Sequence, residues 1–163
     1  MSYEDAPWMR YAEDEERRGV REVRGTAGHN PRILEYFRTT PFQGNDNDEA
    51  AWCSAFANWC VLQAGMRGTG RANARSWLNW GEALSEPRPG AITVFRRGTS
   101  AWQGHVAFYV GPASTAGNIE VLGGNQANQV CRRPYATDRL LGYRWPSGSP
   151  TRTSSSSSPT AYA

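Results

Sequence analysis

The chain is short, weakly basic and moderately apolar. Its 163 residues carry a formal net charge of +3, and 39% of them are hydrophobic and 12% aromatic. That length suits a single domain, and the apolar content excludes disorder along most of the chain. All 18 basic residues are arginine. Because no basic run is interleaved with aromatic residues, we expect no nucleic-acid partner.

The first third of the chain predicts two helices and a loop. We expect a polar helix over residues 6–24 that breaks at Gly25. Asn30-Pro31 indicates the start of a second, short helix, because proline is favoured at the first helical position. The composition of residues 40–48 predicts a loop.

The clearest helix runs from Ala51 to Ala64, where apolar residues recur at helical spacing and Gly65 follows as a C-terminal cap. A further helix is predicted over residues 72–84. Turn residues then separate short β-rich runs, as in an antiparallel sheet. These runs are 91–96, 105–110, 118–122 and 140–145. Helices followed by strands predict an α+β fold rather than alternating α/β units.

The last residues differ in composition from the rest. Residues 148–163 are rich in serine, threonine and proline, which predicts a flexible tail after one catalytic domain over residues 1–147. The apolar runs are too short to span a membrane, so we expect no membrane insertion. The first residues lack the basic and apolar regions of a signal peptide. We therefore expect synthesis in the cytoplasm.

Three cysteines, Cys53, Cys60 and Cys131, form an odd set in a chain without a signal sequence, which predicts reduced thiols. Cys53 falls in the first turn of the central helix. There the unpaired N–H groups and the helix dipole stabilise a thiolate and can donate to an oxyanion. Position alone leaves a buried core thiol as an equal interpretation. Cys60 and Cys131 are expected to be structural.

The chain has two histidines. His29 precedes the second helix and is expected to lie in a turn. His105 opens a predicted strand beside Gly104, where an imidazole can face a helix packed across the sheet. A cysteine followed at a distance by a histidine is the order of Cys–His enzymes. A third polar group then orients the imidazole. Asn125, just past the next strand, is the candidate, although a structural role in a glycine turn stays open.

These motifs resemble those of the CHAP and NlpC-type cysteine peptidases, and most closely a compact subgroup with the sequence Trp-Cys-Ser-Ala-Phe. The resemblance spans residues 8–146 and rests on four segments: residues 52–56, 89–95, 104–110 and 122–126. It implies a papain-like fold, with a nucleophile helix packed on an antiparallel sheet. It also implies hydrolysis of amide bonds in peptidoglycan, with Cys53 as nucleophile, His105 as base and Asn125 as orienting residue.

Two positions depart from the family pattern. Many CHAP members carry a glutamate where this chain has Gly123, so Asn125 must act alone or with another group. The entry to the first strand is commonly Pro-Gly-Asp, whereas this chain has Ala91 at the third place. We expect that second change to affect stability more than activity. Trp52 and Ser54, which flank the nucleophile, are expected to contact substrate.

Some CHAP enzymes bind calcium through an acidic loop before the nucleophile. Asp46 and Asp48 invite that comparison, but their segment lacks the glycine and the bidentate glutamate of an EF-hand. A polar loop that caps a helix is the favoured interpretation. Zinc is not expected, because the histidines and cysteines lack ligand spacing. We therefore expect no cofactor, with calcium as the open alternative.

The leading hypothesis is a peptidoglycan hydrolase, either an amidase or an endopeptidase. It would be a monomer that reaches the periplasm or cell wall without a signal peptide, through a phage holin or a secretion system. Its partners would be peptidoglycan and, for a secreted effector, an immunity protein or the secretion machinery. Two other classes stay open: a catalytically silent binding module of the same fold, and an intracellular cysteine enzyme that modifies proteins.

Overall fold

A computed structural model describes residues 3–24, 30–41 and 52–148, with the helices first and the strands after them. Predictions for His29, for residues 42–51 and for the tail from residue 149 lie outside these ranges. No described helix is long and apolar enough to cross a membrane. The helices are α1 (Trp8–Arg18), α2 (Pro31–Phe37) and α3 (Trp52–Gln63), with short 3-10 helices at Ala74–Asn79 and Thr137–Arg139.

Six antiparallel strands form one sheet in the order β1-β6-β2-β3-β4-β5. The strands are β1 (Glu82–Leu84), β2 (Ile92–Arg96), β3 (Gly104–Pro112), β4 (Asn118–Gln126), β5 (Gln129–Ala136) and β6 (Leu140–Trp145). Helix α3 packs on β3 and β4. A helix layer on an antiparallel sheet confirms the predicted α+β, papain-like fold.

The core lies between α3 and the middle of the sheet. Phe56 of α3 packs towards Phe108 of β3, with ring centroids 6.3 Å apart, and both side chains are fully buried. Val94, Val106 and Leu122 share this sheet face, because each pairs with or alternates from Phe108 in the ladder. Burying this continuous apolar face is the main stabilising contribution to such a layer.

Helix α3 approaches the backbone of β4 at Gly124. A Cβ atom added to Gly124 would lie 2.7 Å from the Cβ of Phe56 and 2.9 Å from Cζ3 of Trp52. Real side chains do not tolerate such distances, so an alanine at this position would push the helix away from the strand. The glycine thus sets the depth at which α3 lies on the sheet.

Two predicted helices are confirmed with small changes at their ends. The side chain of Asn30 caps α2 by accepting a hydrogen bond of 2.8 Å from the backbone N–H of Arg32. Helix α3 is followed by Gly65 in the left-handed conformation, with φ of 86°.

The first helix is shorter than predicted. It ends at Arg18 and not near Gly25, because Gly19 adopts a left-handed conformation, with φ of 69°, and its N–H bonds back to the carbonyls of Glu15 and Glu16. The chain then runs beside the sheet, where Arg21 pairs with Gln129 in an isolated bridge. The charged composition of residues 13–24 conceals this stop.

The predicted helix over residues 72–84 is wrong in its second half. Only Ala74–Asn79 is helical, as a 3-10 helix, and β1 follows and pairs with β6 at the sheet edge. The sequence also gave no signal for β5, which forms the opposite edge and contains Pro134. Proline is compatible with an edge strand, where one side of the backbone needs no ladder bond.

A buried carboxylate ties α1 to α2. Glu15 is 1% exposed, and it accepts hydrogen bonds of 2.7 Å from both Nε and Nη2 of Arg32 and one of 2.5 Å from the hydroxyl of Tyr36. A buried charge is tolerated only when it is paired and hydrogen-bonded in this way. The cluster therefore fixes how the two N-terminal helices pack.

Replacing Glu15 with glutamine is expected to destabilise the fold by about 3 kcal/mol, because it removes the buried carboxylate that pairs with the guanidinium of Arg32 and leaves only the longer contact to Glu35. Asp14→Asn on the same helix is the matched control, since its bond to Arg17 is exposed and such pairs contribute less than about 1 kcal/mol. Urea denaturation measures both. Equal losses of free energy of unfolding in the two variants would contradict the role of the buried cluster.

Candidate active site

Cys53 is the second residue of α3 and is 2% exposed. Three backbone N–H groups lie near its sulfur and act to lower the pKa of the thiol, those of Val106, Ser54 and Cys53 itself. The last two belong to the first turn of the helix, where N–H groups have no partner within the helix. The N–H of Val106 comes from β3. The cysteine is thus held between the start of α3 and the strand that carries the histidine.

His105 is the second residue of β3 and is also buried. Its Nε2 lies 2.8 Å from Oε1 of Gln126. The ring of Tyr135 stacks on the imidazole with centroids 5.1 Å apart, and Phe95 stacks on the same tyrosine at 4.7 Å. Phe95 also stacks on the imidazole itself, at 6.3 Å. One hydrogen bond and two stacked rings therefore fix the position and the plane of the imidazole.

The structure brings Cys53 and His105 to the same end of β3. The sulfur lies near the amide of Val106, the residue that follows His105. Tyr135 adjoins both groups, because its ring stacks on the imidazole and its phenol lies close enough to Cys53 for a thiolate charge to raise the phenol pKa. Burial and that charge together raise the pKa of Tyr135 to about 12.

Gln126, and not Asn125, holds the imidazole. Asn125 has a left-handed backbone with φ of 57°, and the β4–β5 ladder is irregular between Gly123 and Gln126. This irregularity shifts the alternation of the strand and turns Gln126 inward, to 1% exposure. The expectation that Asn125 orients His105 is therefore corrected by one residue.

The amide of Gln126 is itself held in one orientation. Its Nε2 donates a hydrogen bond of 2.7 Å to the carbonyl of Cys131, which leaves Oε1 facing His105. An amide oxygen only accepts, so Nε2 of His105 carries the proton and Nδ1 is the unprotonated nitrogen. The imidazole is thus in the tautomer that can accept a proton at Nδ1.

The glycine that replaces the family glutamate makes room for this arrangement. A Cβ atom at Gly123 would lie 2.9 Å from Oε1 of Gln126 and 2.7 Å from the Cβ of Ala107. A side chain at position 123 would therefore displace the glutamine. The inward position of Gln126 therefore depends on the glycine that departs from the family pattern.

Trp52 and Ser54 have structural positions rather than the substrate contacts expected for them. Both side chains are fully buried. The indole N–H of Trp52 donates a hydrogen bond of 2.8 Å to the carboxylate of Glu22. The hydroxyl of Ser54 donates a hydrogen bond of 2.8 Å to the carbonyl of Arg71. Each anchors the first turn of α3 to another segment, so they position Cys53 from both sides.

Burial disfavours the charged form of both candidate groups. It raises the pKa of the Cys53 thiol, although the nearby backbone N–H groups and the charge of Arg97 act in the opposite direction. It lowers the pKa of His105 to about 4, against a smaller raising effect of the hydrogen bond to Gln126. Burial therefore opposes the thiolate that the start of α3 was expected to stabilise, and it favours a thiol beside a neutral imidazole.

The calcium alternative rests on Asp46 and Asp48, which lie outside the described residues, so it stays a prediction. Within residues 3–24, 30–41 and 52–148, no group of histidine, cysteine, aspartate or glutamate side chains could hold a metal ion. All three cysteines are free thiols. Cys60 is fully buried in the core, in line with a packing role.

A cysteine at the start of a helix, packed on an antiparallel sheet that carries a histidine, defines the papain-like class of α+β proteins. Residues 45–125 match the family model of the CHAP domain. The chain therefore contains a CHAP domain. The CHAP resemblance is confirmed, whereas the NlpC-type resemblance stays a prediction.

Among solved structures, the chain is similar to the crystal structure of a wild type endolysin, LysIME-EF1. The match has a TM-score of 0.47 and 16% sequence identity over 71% of this chain, and the chain spans 63% of the length of that endolysin chain. No curated protein sequence matches the chain.

Sequence reasoning missed Gln126, Tyr135 and Arg97. Gln126 directly follows the chosen asparagine, so the Gly-Gly-Asn-Gln segment contained the correct residue. Tyr135 lies on the unpredicted strand β5. Arg97 follows β2, and its charge lowers the pKa of both Cys53 and His105. Nothing in the sequence distinguishes Arg97 from the other arginines.

The rate at which iodoacetamide alkylates Cys53 is expected to rise with an inflection above about 8.5, the ordinary thiol pKa. The physical reason is that burial disfavours the thiolate. Peptide mapping by mass spectrometry isolates Cys53 from the other two thiols. An inflection well below the ordinary value would contradict the neutral resting pair.

Gln126→Ala is expected to lower kcat/KM by about ten- to a hundredfold, the effect of removing a buried hydrogen bond to a reacting group. Gln126→Glu instead places a carboxylate beside the imidazole and raises its pKa from about 4. The base must be neutral to accept a proton. As the pH is lowered, the variant should therefore lose activity at a higher pH than the unaltered protein does.

Gln129→Ala, in the same hairpin, is the matched control for both variants. The pH profile of kcat/KM decides the outcome. An acid limb that does not move in Gln126→Glu would show that Gln126 supports the fold without acting on His105.

Proposed function

We propose that this chain hydrolyses an amide bond in or next to the stem peptide of peptidoglycan, with Cys53 as nucleophile and His105 as general base. One observation carries the proposal. The sulfur of Cys53 lies near the amide of Val106, the residue that follows His105, and the plane and tautomer of that imidazole are fixed. Membership of the CHAP family supports the choice of substrate.

The chemistry follows from the neutral pair. Nδ1 of His105 takes the thiol proton as the sulfur attacks the carbonyl carbon, because neither group is charged at rest. The N–H groups of Cys53 and Ser54 at the start of α3 are available to the oxyanion. The imidazolium then gives its proton to the leaving amine, which breaks the C–N bond and leaves a thioester. Water, deprotonated by His105, hydrolyses the thioester and restores the thiol.

Two finer assignments go with this proposal. The cleaved bond lies either between the sugar and the stem peptide, as in an amidase, or within the peptide, as in an endopeptidase. The protein acts either as a phage lysin or as a secreted antibacterial effector. A holin gene beside this gene would favour the lysin, and a gene for an immunity protein would favour the effector.

The test is digestion of purified sacculi by the unaltered protein and by Cys53→Ala, with the new ends identified by mass spectrometry. We expect soluble muropeptides from the unaltered protein and none above background from Cys53→Ala. A new amino terminus at the first alanine indicates an amidase, whereas one further along the peptide indicates an endopeptidase.

Cys60→Ala is the matched control, since it removes a buried thiol from the same helix without touching the site. The folded Cys60→Ala protein should digest sacculi. Identical digests from the unaltered protein and Cys53→Ala would refute thiol catalysis and favour a silent module of the same fold.

A further inference from the structure

Tyr135 reaches the candidate active site from the edge of the sheet. It lies near the end of β5, two strands away from β3, which carries His105. The short 3-10 helix at Thr137–Arg139 leads from β5 into β6, and β6 pairs with β2, where Leu140 lies opposite Phe95. The chain therefore bends back over the sheet at this point and brings Tyr135 onto side chains of β2 and β3.

The ring of Tyr135 lies over two side chains at once. Phe95 and His105 are directly opposite in the β2–β3 ladder, so their side chains share one face of the sheet, with ring centroids 6.3 Å apart. The ring of Tyr135 lies 4.7 Å from the first and 5.1 Å from the second, at interplanar angles of 21° and 18°. These distances place it across the gap between the two rings, as a cover that the imidazole and the phenyl ring share.

This tyrosine separates the imidazole from solvent. Phe95 is fully buried and His105 is 2% exposed, whereas Tyr135 is half-buried. Arg139 adds a second contact to the tyrosine, with its guanidinium carbon 5.7 Å from the ring centroid. The arginine is itself held by a hydrogen bond of 3.2 Å to the carbonyl of Arg96. Removal of the Tyr135 side chain would therefore open the imidazole to water.

The hydroxyl of Tyr135 takes no part in this arrangement. Among the described residues it has no hydrogen-bond partner, and it is not one of the buried polar atoms that lack one, so it reaches solvent. Stacking between rings depends on their faces and their apolar area and needs no polar group. The contact with His105 therefore belongs to the ring, and phenylalanine would keep it.

We propose that Tyr135 is a positioning residue for the hydrolysis described above, and that its ring, not its hydroxyl, holds the imidazole of His105 in its plane and keeps water from its face. Gln126 fixes one edge of the imidazole through Nε2, and the tyrosine fixes the plane. Together they leave Nδ1 to take the thiol proton. This assignment rests on the proposed function, because it names a residue that acts through the general base.

Burial is the largest influence on the charge of His105, and it lowers the pKa of the imidazole to about 4. The charges of Arg97, after β2, and Arg139, before β6, act in the same direction, whereas the hydrogen bond to Gln126 of β4 raises the pKa. The thiol of α3 and the phenol of β5 have raised pKa values, which disfavours a negative charge on either. Water admitted over the imidazole relieves the largest of these effects, so the pKa of His105 should rise.

The experiment compares Tyr135→Ala with Tyr135→Phe, in kinetic assays on muropeptides and in NMR titrations of the histidines. The chain has two histidines, and a His29→Gln protein assigns the signals of His105. In Tyr135→Ala we expect kcat to fall by about ten- to a hundredfold with little change in KM, because the base is no longer held in its plane.

The titration supplies a reading that a general loss of stability would not give. In Tyr135→Ala the pKa of His105 should rise from about 4 towards the ordinary value of about 6.5. Because a protonated imidazole cannot accept the thiol proton, the acid limb of the rate profile should move to higher pH with it. Tyr135→Phe should match the unaltered protein in both measurements.

Two further variants complete the test. Tyr135→Leu keeps an apolar side chain on β5 but cannot stack, so it should also lower kcat and should change the ring-current shifts of the His105 protons. It replaces Tyr135→Ala if that protein does not fold. Tyr109→Ala is the matched control, since Tyr109 is a half-buried tyrosine of β3 whose ring contacts Tyr143, and it should leave kcat and the pKa of His105 unchanged.

Two results would overturn the role of the ring. One is a loss of kcat in Tyr135→Phe as large as in Tyr135→Ala, which would assign the effect to the hydroxyl. The other is digestion that needs Cys53 while kcat and the pKa of His105 stay the same in folded Tyr135→Ala, which would retain hydrolysis. Sacculi that the unaltered protein leaves intact, with a raised His105 pKa in Tyr135→Ala, would instead refute hydrolysis and leave the shielding of the imidazole standing.

Discussion

The first turn of α3 lies directly on the backbone of β4, and the position of the nucleophile depends on that contact. Gly124 offers no side chain, so Phe56 and Trp52 rest against the strand itself. Cys53 lies between these two aromatic residues in the helix. The depth of their packing therefore decides whether its sulfur reaches the amide of Val106 on β3. A fold in which the helix stood higher would separate the thiol from the histidine.

Gly123, the residue before Gly124, faces the opposite side of the same strand. Position 123 has no side chain, and the space beside it is taken by the amide of Gln126. This amide bonds to His105 on one side and to the carbonyl of Cys131 on the other. Edge strand β5 thereby supports the imidazole twice, through Cys131 and through the stacked ring of Tyr135. The two glycines thus place the nucleophile and the base independently.

The sequence was sufficient to predict the central helix α3 and four of the six strands, because these rest on hydrophobic periodicity. It also selected Cys53 and His105 as candidates from local motifs, and both are buried near the start of β3. The sequence alone could not identify Gln126 as the hydrogen-bond partner of His105. Choosing it over Asn125 requires the left-handed backbone of Asn125 and the irregular ladder beside it, which depend on pairing with β5. Strand β5 was itself missed, since Pro134 and two adjacent arginines conceal its pattern. The early end of α1 depends in the same way on one residue, Gly19.

The electrostatics of the candidate site favour negative charge on the sulfur. Burial disfavours the charged forms of both Cys53 and His105, so in the proposed reaction the proton would move as the sulfur attacks. Arg97 then acts in one direction throughout the reaction. Its charge stabilises a thiolate and opposes an imidazolium, and the backbone N–H groups around the sulfur also favour an anion. The negative charge that develops on the sulfur and on the carbonyl oxygen in the proposed reaction would therefore meet surroundings that already favour an anion.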